Sequence, residues 1–336
     1  MAKLIAQLRF IAGALALAVL VAVAAPSSAP AQVNPTTSAV KEQQLLNALQ
    51  GGAISGRVSI PDQKSGNLIN PGGRDWRQFH EVTLVWIGAF AILGMLALLV
   101  VFYLWRGQVR IEAGRSGRAI VRFNGFERFV HWLTASCFIV LGLTGLNVTF
   151  GKRLLLPVMG PDAFSAWSEW AKYAHNYLSF GFTIGVVLMF LMWISVNFPN
   201  ATDAEWIKRG GGIVGKDHPP ASKFNAGQKL LYWLVMLGAT AMIISGYMLM
   251  FPFYGGMTVA NMELASVFHG IVAMLFVAMI IAHIYLGTLG MEGAFEAMGE
   301  GTVDVNWAKQ HHSLWVEEEM TRGAADPKGA MARPAE

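Results

Sequence analysis

FHGIVAMLFVAMIIAHIYLGTLG, residues 268–290, decides how the chain is read. The stretch is apolar enough and long enough to cross a bilayer as an α-helix. It contains two histidines, His269 and His283, 14 residues apart. On a helix that spacing is an axial separation of about 21 Å and a rotation within roughly 40° of whole turns. Both imidazoles therefore point the same way, one near each end of the span. An ionisable side chain inside a membrane segment is a functional hypothesis by default. Two on one face at opposite depths suggest two metal centres stacked across the membrane. The plainer alternative is a pair of interfacial histidines that snorkel or cap. Partners elsewhere in the chain decide between them.

Composition sets the class. Of 336 residues, 54% are hydrophobic and only 14% charged, against about 25% charged in soluble domains. This is an integral membrane composition. The single cysteine, Cys137, excludes an intramolecular disulfide, a CxxCH haem attachment and a cysteine-bound iron–sulphur cluster or zinc site. Any cofactor must be held by His, Met or carboxylate. The net charge of +4 follows from membrane topology, and nothing points to nucleic acid.

Working outward, residues 1–31 read as a secretory signal. Lys3 and Arg9 precede an apolar run, and an Ala-x-Ala pattern at 29–31 suggests cleavage after Ala31, with Ala25 as a second option. An uncleaved anchor is the alternative. Residues 32–80 are polar, rich in Gly, Asn, Pro and Ser, and form an external extension ending at His80, read as an interfacial residue. Residues 81–105 are a first span with interfacial Trp86, Tyr103 and Trp105. Residues 106–128 are a loop holding Arg106, Arg110, Arg115, Arg118, Arg122 and Arg128. Such an excess of arginine beside a membrane exit marks the cytoplasmic side.

Further spans are expected at about 129–150, 174–198, 230–251 and 268–290. The connection with Pro157, Pro161, Trp167 and Trp170 reads as an external loop. The connection 199–228, with Lys208, Arg209, Lys216 and Lys223, reads as cytoplasmic, and 252–265 has no Lys or Arg and reads as external. The tail 291–336 is cytoplasmic. His218, His311 and His312 fall in these polar segments, where surface contact is the expected role. No internal repeat stands out. The result is five mature spans with the amino terminus outside and the carboxyl terminus inside.

Topology then gives each histidine a depth. His131 and His283 lie near cytoplasmic ends of their spans, His175 and His269 near outer ends. A low-spin b-type haem takes two axial imidazoles about 4 Å apart across one iron. Two haems about 20 Å apart would form an electron path across most of the membrane. Gly142, Gly145, Gly181 and Gly270 would allow close approach of a flat porphyrin, or they serve ordinary helix packing. Arg128 is a candidate partner for a propionate, although topogenic charge alone explains it. A di-metal carboxylate site is disfavoured because the spans lack central Asp or Glu, and the 17 methionines are scattered as packing residues are.

Several motifs in order carry a resemblance. They are Arg122-Phe123, Glu127-Arg128-Phe129-Val130-His131-Trp132, Ala174-His175-Asn176, Lys223-Phe224-Asn225-Ala226-Gly227-Gln228-Lys229, Phe268-His269-Gly270, His283-Ile284-Tyr285 and Trp307-Ala308-Lys309-Gln310-His311-His312. With them the chain resembles the membrane cytochrome b (gamma) subunit of respiratory formate dehydrogenases, over roughly 121–315. The resemblance implies an all-α integral membrane fold with a four-helix di-haem cytochrome b core at 129–290. One additional N-terminal transmembrane helix and the signal-like segment lie outside that pattern, and no family function transfers to them.

It further implies two haem b groups, with His175 and His269 holding the periplasmic one and His131 and His283 the cytoplasmic one. A quinone would bind beside the latter, near His283, Asn225, Gly227 and Gln228. Asn225 reads equally as a helix N-cap. The implied partners are an iron–sulphur (beta) subunit and, through it, a molybdenum- or tungsten-containing catalytic (alpha) subunit, in a bacterial inner membrane. Assembly beyond one heterotrimer stays open. The chain itself carries no formate-oxidising site. The cytochrome b of a hydrogenase or thiosulphate reductase is the rival reading, and a haem-free membrane anchor the non-enzyme one.

Overall fold

A computed structural model describes residues 71–212, 217–252, 254–325 and 333–334. The signal segment and nearly all of the polar extension lie outside the described residues. Among the described residues, five helices are long and apolar enough to cross a membrane. They are α1 (Leu84–Arg106), α2 (Gly125–Leu154), α3 (Pro161–Trp193), α4 (Ala226–Met250) and α5 (Val259–Tyr285). The chain is an all-α, multi-pass membrane protein.

The starts of α2 to α5 have local causes. The Asn124 side chain accepts from the Glu127 N–H while Glu127 accepts from the Asn124 N–H, a reciprocal cap on α2. Asn225 with Gln228 does the same for α4, and Thr258 with Asn261 for α5. Pro161 occupies the first turn of α3, where its missing N–H costs nothing. This helix therefore begins about 13 residues before the expected span. Trp167 and Trp170, expected in a loop, lie on its first turns. A π-helical segment, Leu286–Gly290, continues α5.

Helices α2 and α3 are the most closely associated pair, α4 packs on α3 and α5, and α1 leans against α5. Glycines set the close approaches. A Cβ on Gly185 would lie 2.2 Å from Thr134 Oγ1, and one on Gly181 would lie 3.1 Å from Cys137 Sγ. A Cβ on Gly270 of α5 would meet Leu84 of α1 at 2.9 Å. Gly181 and Gly270 thus seat helices against helices, as small residues do in membranes. In α1 only Leu84 and Gly88 are buried, so this helix lies outside the four-helix bundle.

One end of the bundle is covered. Strand β1 (Arg118–Val121) pairs antiparallel with β2 (Thr302–Asp304), and a third short strand, Arg333–Pro334, lies on the other side of β1. Helices α6 (Ala294–Gly299), α7 (Val305–His311) and α8 (Ser313–Ala325) complete this cap. The arginine-rich segment and the tail, expected as polar loops, therefore fold together. Arg128 donates from Nε to the Met298 carbonyl at 3.2 Å and from Nη2 to Gly299. It closes the end of α6, a favourable place for a cation. This covered end is the capped end of the bundle, and the opposite one is the open end.

Candidate functional site

The bundle brings its four intramembrane histidines together in two pairs. His131 of α2 faces His283 of α5 near the capped end, with ring centres 6.3 Å apart and planes at 68°. His175 of α3 faces His269 of α5 near the open end, at 6.3 Å and 67°. An imidazole nitrogen sits about 2 Å from a metal it ligates. Two rings ligating one ion from opposite sides then have centres roughly 6 Å apart, so both pairs fit. Among the described residues, no group of three or more His, Cys, Asp or Glu side chains is arranged to hold a metal ion. A metal at either pair thus takes its remaining donors from another group, which is what a porphyrin supplies.

The surroundings agree with this. His131 Nδ1 is buried without a protein partner. His175 Nδ1 lies 2.8 Å from Thr144 Oγ1, and His269 Nδ1 lies 2.8 Å from Ser245 Oγ. A Cβ added to Gly145 would come within 3.5 Å of the His175 ring, and one on Gly246 within 3.3 Å of the His269 ring. Of the glycines expected at a porphyrin, Gly145 adjoins a histidine and Gly142 meets Val277 at 3.8 Å. Thr144, Ser245 and Gly246 were not legible as site residues in the sequence. Only the repeated hydroxyl-glycine dipeptide marks them.

Residues 122–301 match the family described as prokaryotic cytochrome b561. The chain belongs to that family. All four histidines fall in the matched region, and membership implies binding of haem b. The formate dehydrogenase cytochrome b556(fdo) subunit of Escherichia coli is 29% identical over 202 residues, which is 59% of this chain and 92% of that protein. The nitrate-inducible formate dehydrogenase cytochrome b556(Fdn) subunit of Escherichia coli is 26% identical over 208 residues, 60% of this chain and 92% of that protein. The formate dehydrogenase cytochrome b556 subunit of Haemophilus influenzae is 26% identical over 219 residues, with coverage of 63% and 87%.

The Asn-Ala-Gly-Gln segment opens α4 at the capped end of this cytochrome. Asn225 Oδ1 accepts from the Gln228 N–H at 2.9 Å, and Gln228 Oε1 accepts from the Asn225 N–H at 3.2 Å. Both amide oxygens thus serve the helix cap. The two NH2 groups remain as donors. Gly227 allows the ring of Trp206 to approach, since a Cβ there would sit 3.1 Å from it.

Beside this cap lies Arg122, only 3% exposed. Its Nη2 donates to the Lys223 carbonyl at 2.6 Å and lies 3.1 Å from His312 Nε2 and 3.5 Å from Gln228 Oε1. Its Nη1 is buried with no protein partner. The rings of Phe123, Trp307 and Trp315 lie 5.4, 5.4 and 5.0 Å from the guanidinium carbon, close enough for cation–π attraction. Burial lowers this arginine to about 9.

His311 and His312, expected at the surface, are 6% and 0% exposed. The tail folds back over the capped end, and the polar appearance of that stretch hid this. His312 Nδ1 lies 2.8 Å from the Ser222 carbonyl, so Nδ1 carries the hydrogen and Nε2 accepts from Arg122. Burial, with Arg122 adding, holds His312 well below its usual range. Burial, with His218 and Arg122 adding, lowers His311 to about 3. His218 lies 5.2 Å from the His311 ring and 3.5 Å from exposed Glu112.

Proposed function

We propose that this chain is the haem-bearing membrane subunit of a formate dehydrogenase and that it carries electrons across the bilayer to quinone. The observation that supports the reading best is the pairing of α5 with two different helices through His269 and His283, one pair toward each end. The formate dehydrogenase subunits among its relatives supply the donor reaction. In this reading residues 129–290 are the di-haem unit, residues 32–80 are a periplasmic extension, and α1 is an addition that anchors or buttresses the bundle or meets a partner. The signal-like residues 1–31 direct the N-terminus outward.

His175 and His269 would hold one haem b at the open, periplasmic end. His131 and His283 would hold the other at the capped, cytoplasmic end of an inner-membrane protein. Haem b, when bound, supplies reversible one-electron chemistry. The residues of this chain do the rest. Neutral imidazoles ligate without adding charge, and the surrounding apolar side chains exclude water. Electrons enter at the open end from an iron–sulphur partner joined to the catalytic subunit. A quinone beside His283 would accept at its carbonyl from the NH2 groups of Asn225 and Gln228, which the helix cap leaves uncommitted, with Gly227 between them. Quinone reduction consumes two electrons and two protons, and the protons would come from the cytoplasmic side. Each charge moved across the bilayer in this way is worth about 2.3 kcal/mol per 100 mV.

The test is a reduced-minus-oxidised spectrum with a haem count on the purified protein, followed by a formate-to-quinone assay on the co-purified complex. A b-type α band and two haems per chain are expected. His269→Ala should remove one haem and keep the other. Loss of neither would refute the ligand assignment, and absence of the α band would sink the haem reading entirely.

A further inference from the structure

The two histidine pairs share a ring separation and differ in what stands behind the rings. At the open end each ring meets a hydroxyl. A hydroxyl has one hydrogen, and here the preceding turn offers it a carbonyl acceptor. Thr144 Oγ1 donates to the Val140 carbonyl at 2.7 Å, with Leu141 at 3.1 Å, and Ser245 Oγ donates to the Ala241 carbonyl at 2.7 Å. This back-bonding to the preceding turn is common for Ser and Thr in helices. Its consequence here is chemical. With its hydrogen engaged, each hydroxyl oxygen accepts from imidazole, so Nδ1 of His175 and of His269 carries the hydrogen. Nε2 of each ring then keeps its lone pair.

The arrangement is built twice, from different residues on different helices. Thr144 of α2 serves the histidine of α3, and Ser245 of α4 serves the histidine of α5. Each hydroxyl is followed directly by a glycine that leaves room for the same ring. At the capped end, by contrast, His131 Nδ1 has no protein partner.

We propose that Thr144-Gly145 and Ser245-Gly246 are matched positioning elements that fix the tautomer of the open-end ligands and make them the more electron-donating pair. This rests on the di-haem reading above. A hydrogen bond accepted from the far N–H of a ligating imidazole raises its basicity. A more basic pair favours the oxidised metal, so the open-end haem has the lower reduction potential of the two. The asymmetry drives electrons from the open end toward the capped end, where the proposed quinone site lies.

The experiment is a potentiometric titration of the purified complex, followed in the α band, with haem counted in parallel. Wild type should show two haems titrating in two waves. Thr144→Val and Ser245→Ala should each move only the lower wave upward. A tenfold change in relative stabilisation of the two oxidation states appears as about 59 mV for a one-electron couple. Thr144→Ser, which keeps the hydroxyl, should restore the wild-type value. An unmoved lower wave, or a shift in the upper wave instead, overturns the proposal. Should Thr144→Val lose a haem outright, Thr144→Ser decides: a restored haem supports the hydroxyl's role, and one not restored assigns the effect to packing and overturns it. Fewer than two haems in the wild type would overturn the di-haem reading itself, which separates the two failures.

Discussion

Acid should loosen the cap at one end of this cytochrome, and the size of the effect follows from one buried histidine. His311, the last residue of α7, is 6% exposed and packs against His218 and Trp307. Burial, with His218 and Arg122 adding, puts its folded value at about 3, against an ordinary value of 6.5. Once the cap opens, the imidazole takes up a proton near pH 6.5, while in the closed cap it does so only near pH 3. The open state therefore binds more protons in this window. Stability is full above pH 6.5 and is lost progressively as pH falls from 6.5 toward 3. At pH 5, roughly 1.5 pH units below the ordinary value, the loss is about 2 kcal/mol at 1.36 kcal/mol per unit. That is about a 30-fold rise in the opening equilibrium. His312, held low by burial and by Arg122, acts in the same direction.

The assay is amide hydrogen exchange read by mass spectrometry on detergent-solubilised protein at pH 7.5 and pH 5, with rates divided by their intrinsic values. Peptides covering residues 305–316 should exchange about 30-fold faster, or more, at pH 5. Those from the middle of α2 and α3 should not. His311→Phe should weaken the acid dependence and leave the share due to His312. An opening constant for residues 305–316 that does not change between the two pH values would refute the reasoning.

Two further perturbations separate structure from function. Asn225→Asp keeps an acceptor for the Gln228 N–H and so keeps the α4 cap, but it removes the NH2 donor. It should retain both haems and normal thermal stability while quinone turnover falls, and unchanged turnover would exclude that NH2 as an essential donor. Gly185→Ala places a Cβ 2.2 Å from Thr134 Oγ1 and 3.3 Å from the Thr134 Cα. Backbone cannot yield as a side-chain tip can, so overpacking should cost about 1–3 kcal/mol. Gly94→Ala, with nothing within 4 Å, is the matched control, and equal melting temperatures for the two variants would contradict the packing argument.

The helices and the histidine pairing were legible because both rest on coarse signals. Apolar runs of membrane length identify themselves, and loop arginines assign each histidine an end without knowledge of packing. What stayed hidden depended on contacts distant in sequence. The Trp-Ala-Lys-Gln-His-His stretch is polar in composition, yet it is buried because Arg122 and Ser222, far away in the chain, supply its partners. Gly181 and Gly270 looked like candidates for a flat cofactor and proved to seat neighbouring helices. Pro161 suggested a loop and instead opens α3. Asn225 carried two readings, and its cap is visible in the structure while its donor role stands as a proposal.

Helix phase explains why α2 and α5 divide the work differently. On α5 the histidines are 14 residues apart, within roughly 40° of whole turns, so one face meets both partner histidines. On α2, His131 and Thr144 are 13 residues apart, about 140° from whole turns. They point to different sides, His131 to α5 and Thr144 to α3. One residue of difference in spacing separates a helix with two paired histidines from a helix with one paired histidine and one hydroxyl that meets a histidine. Ser245 then supplies from α4 the hydroxyl that meets His269. Every helix of the four-helix bundle thus contributes a ring or a hydroxyl to the open-end pair, α2 and α5 also make the capped-end pair, and α1 contributes to neither. That distribution agrees with a family match that begins at residue 122, after α1 has ended.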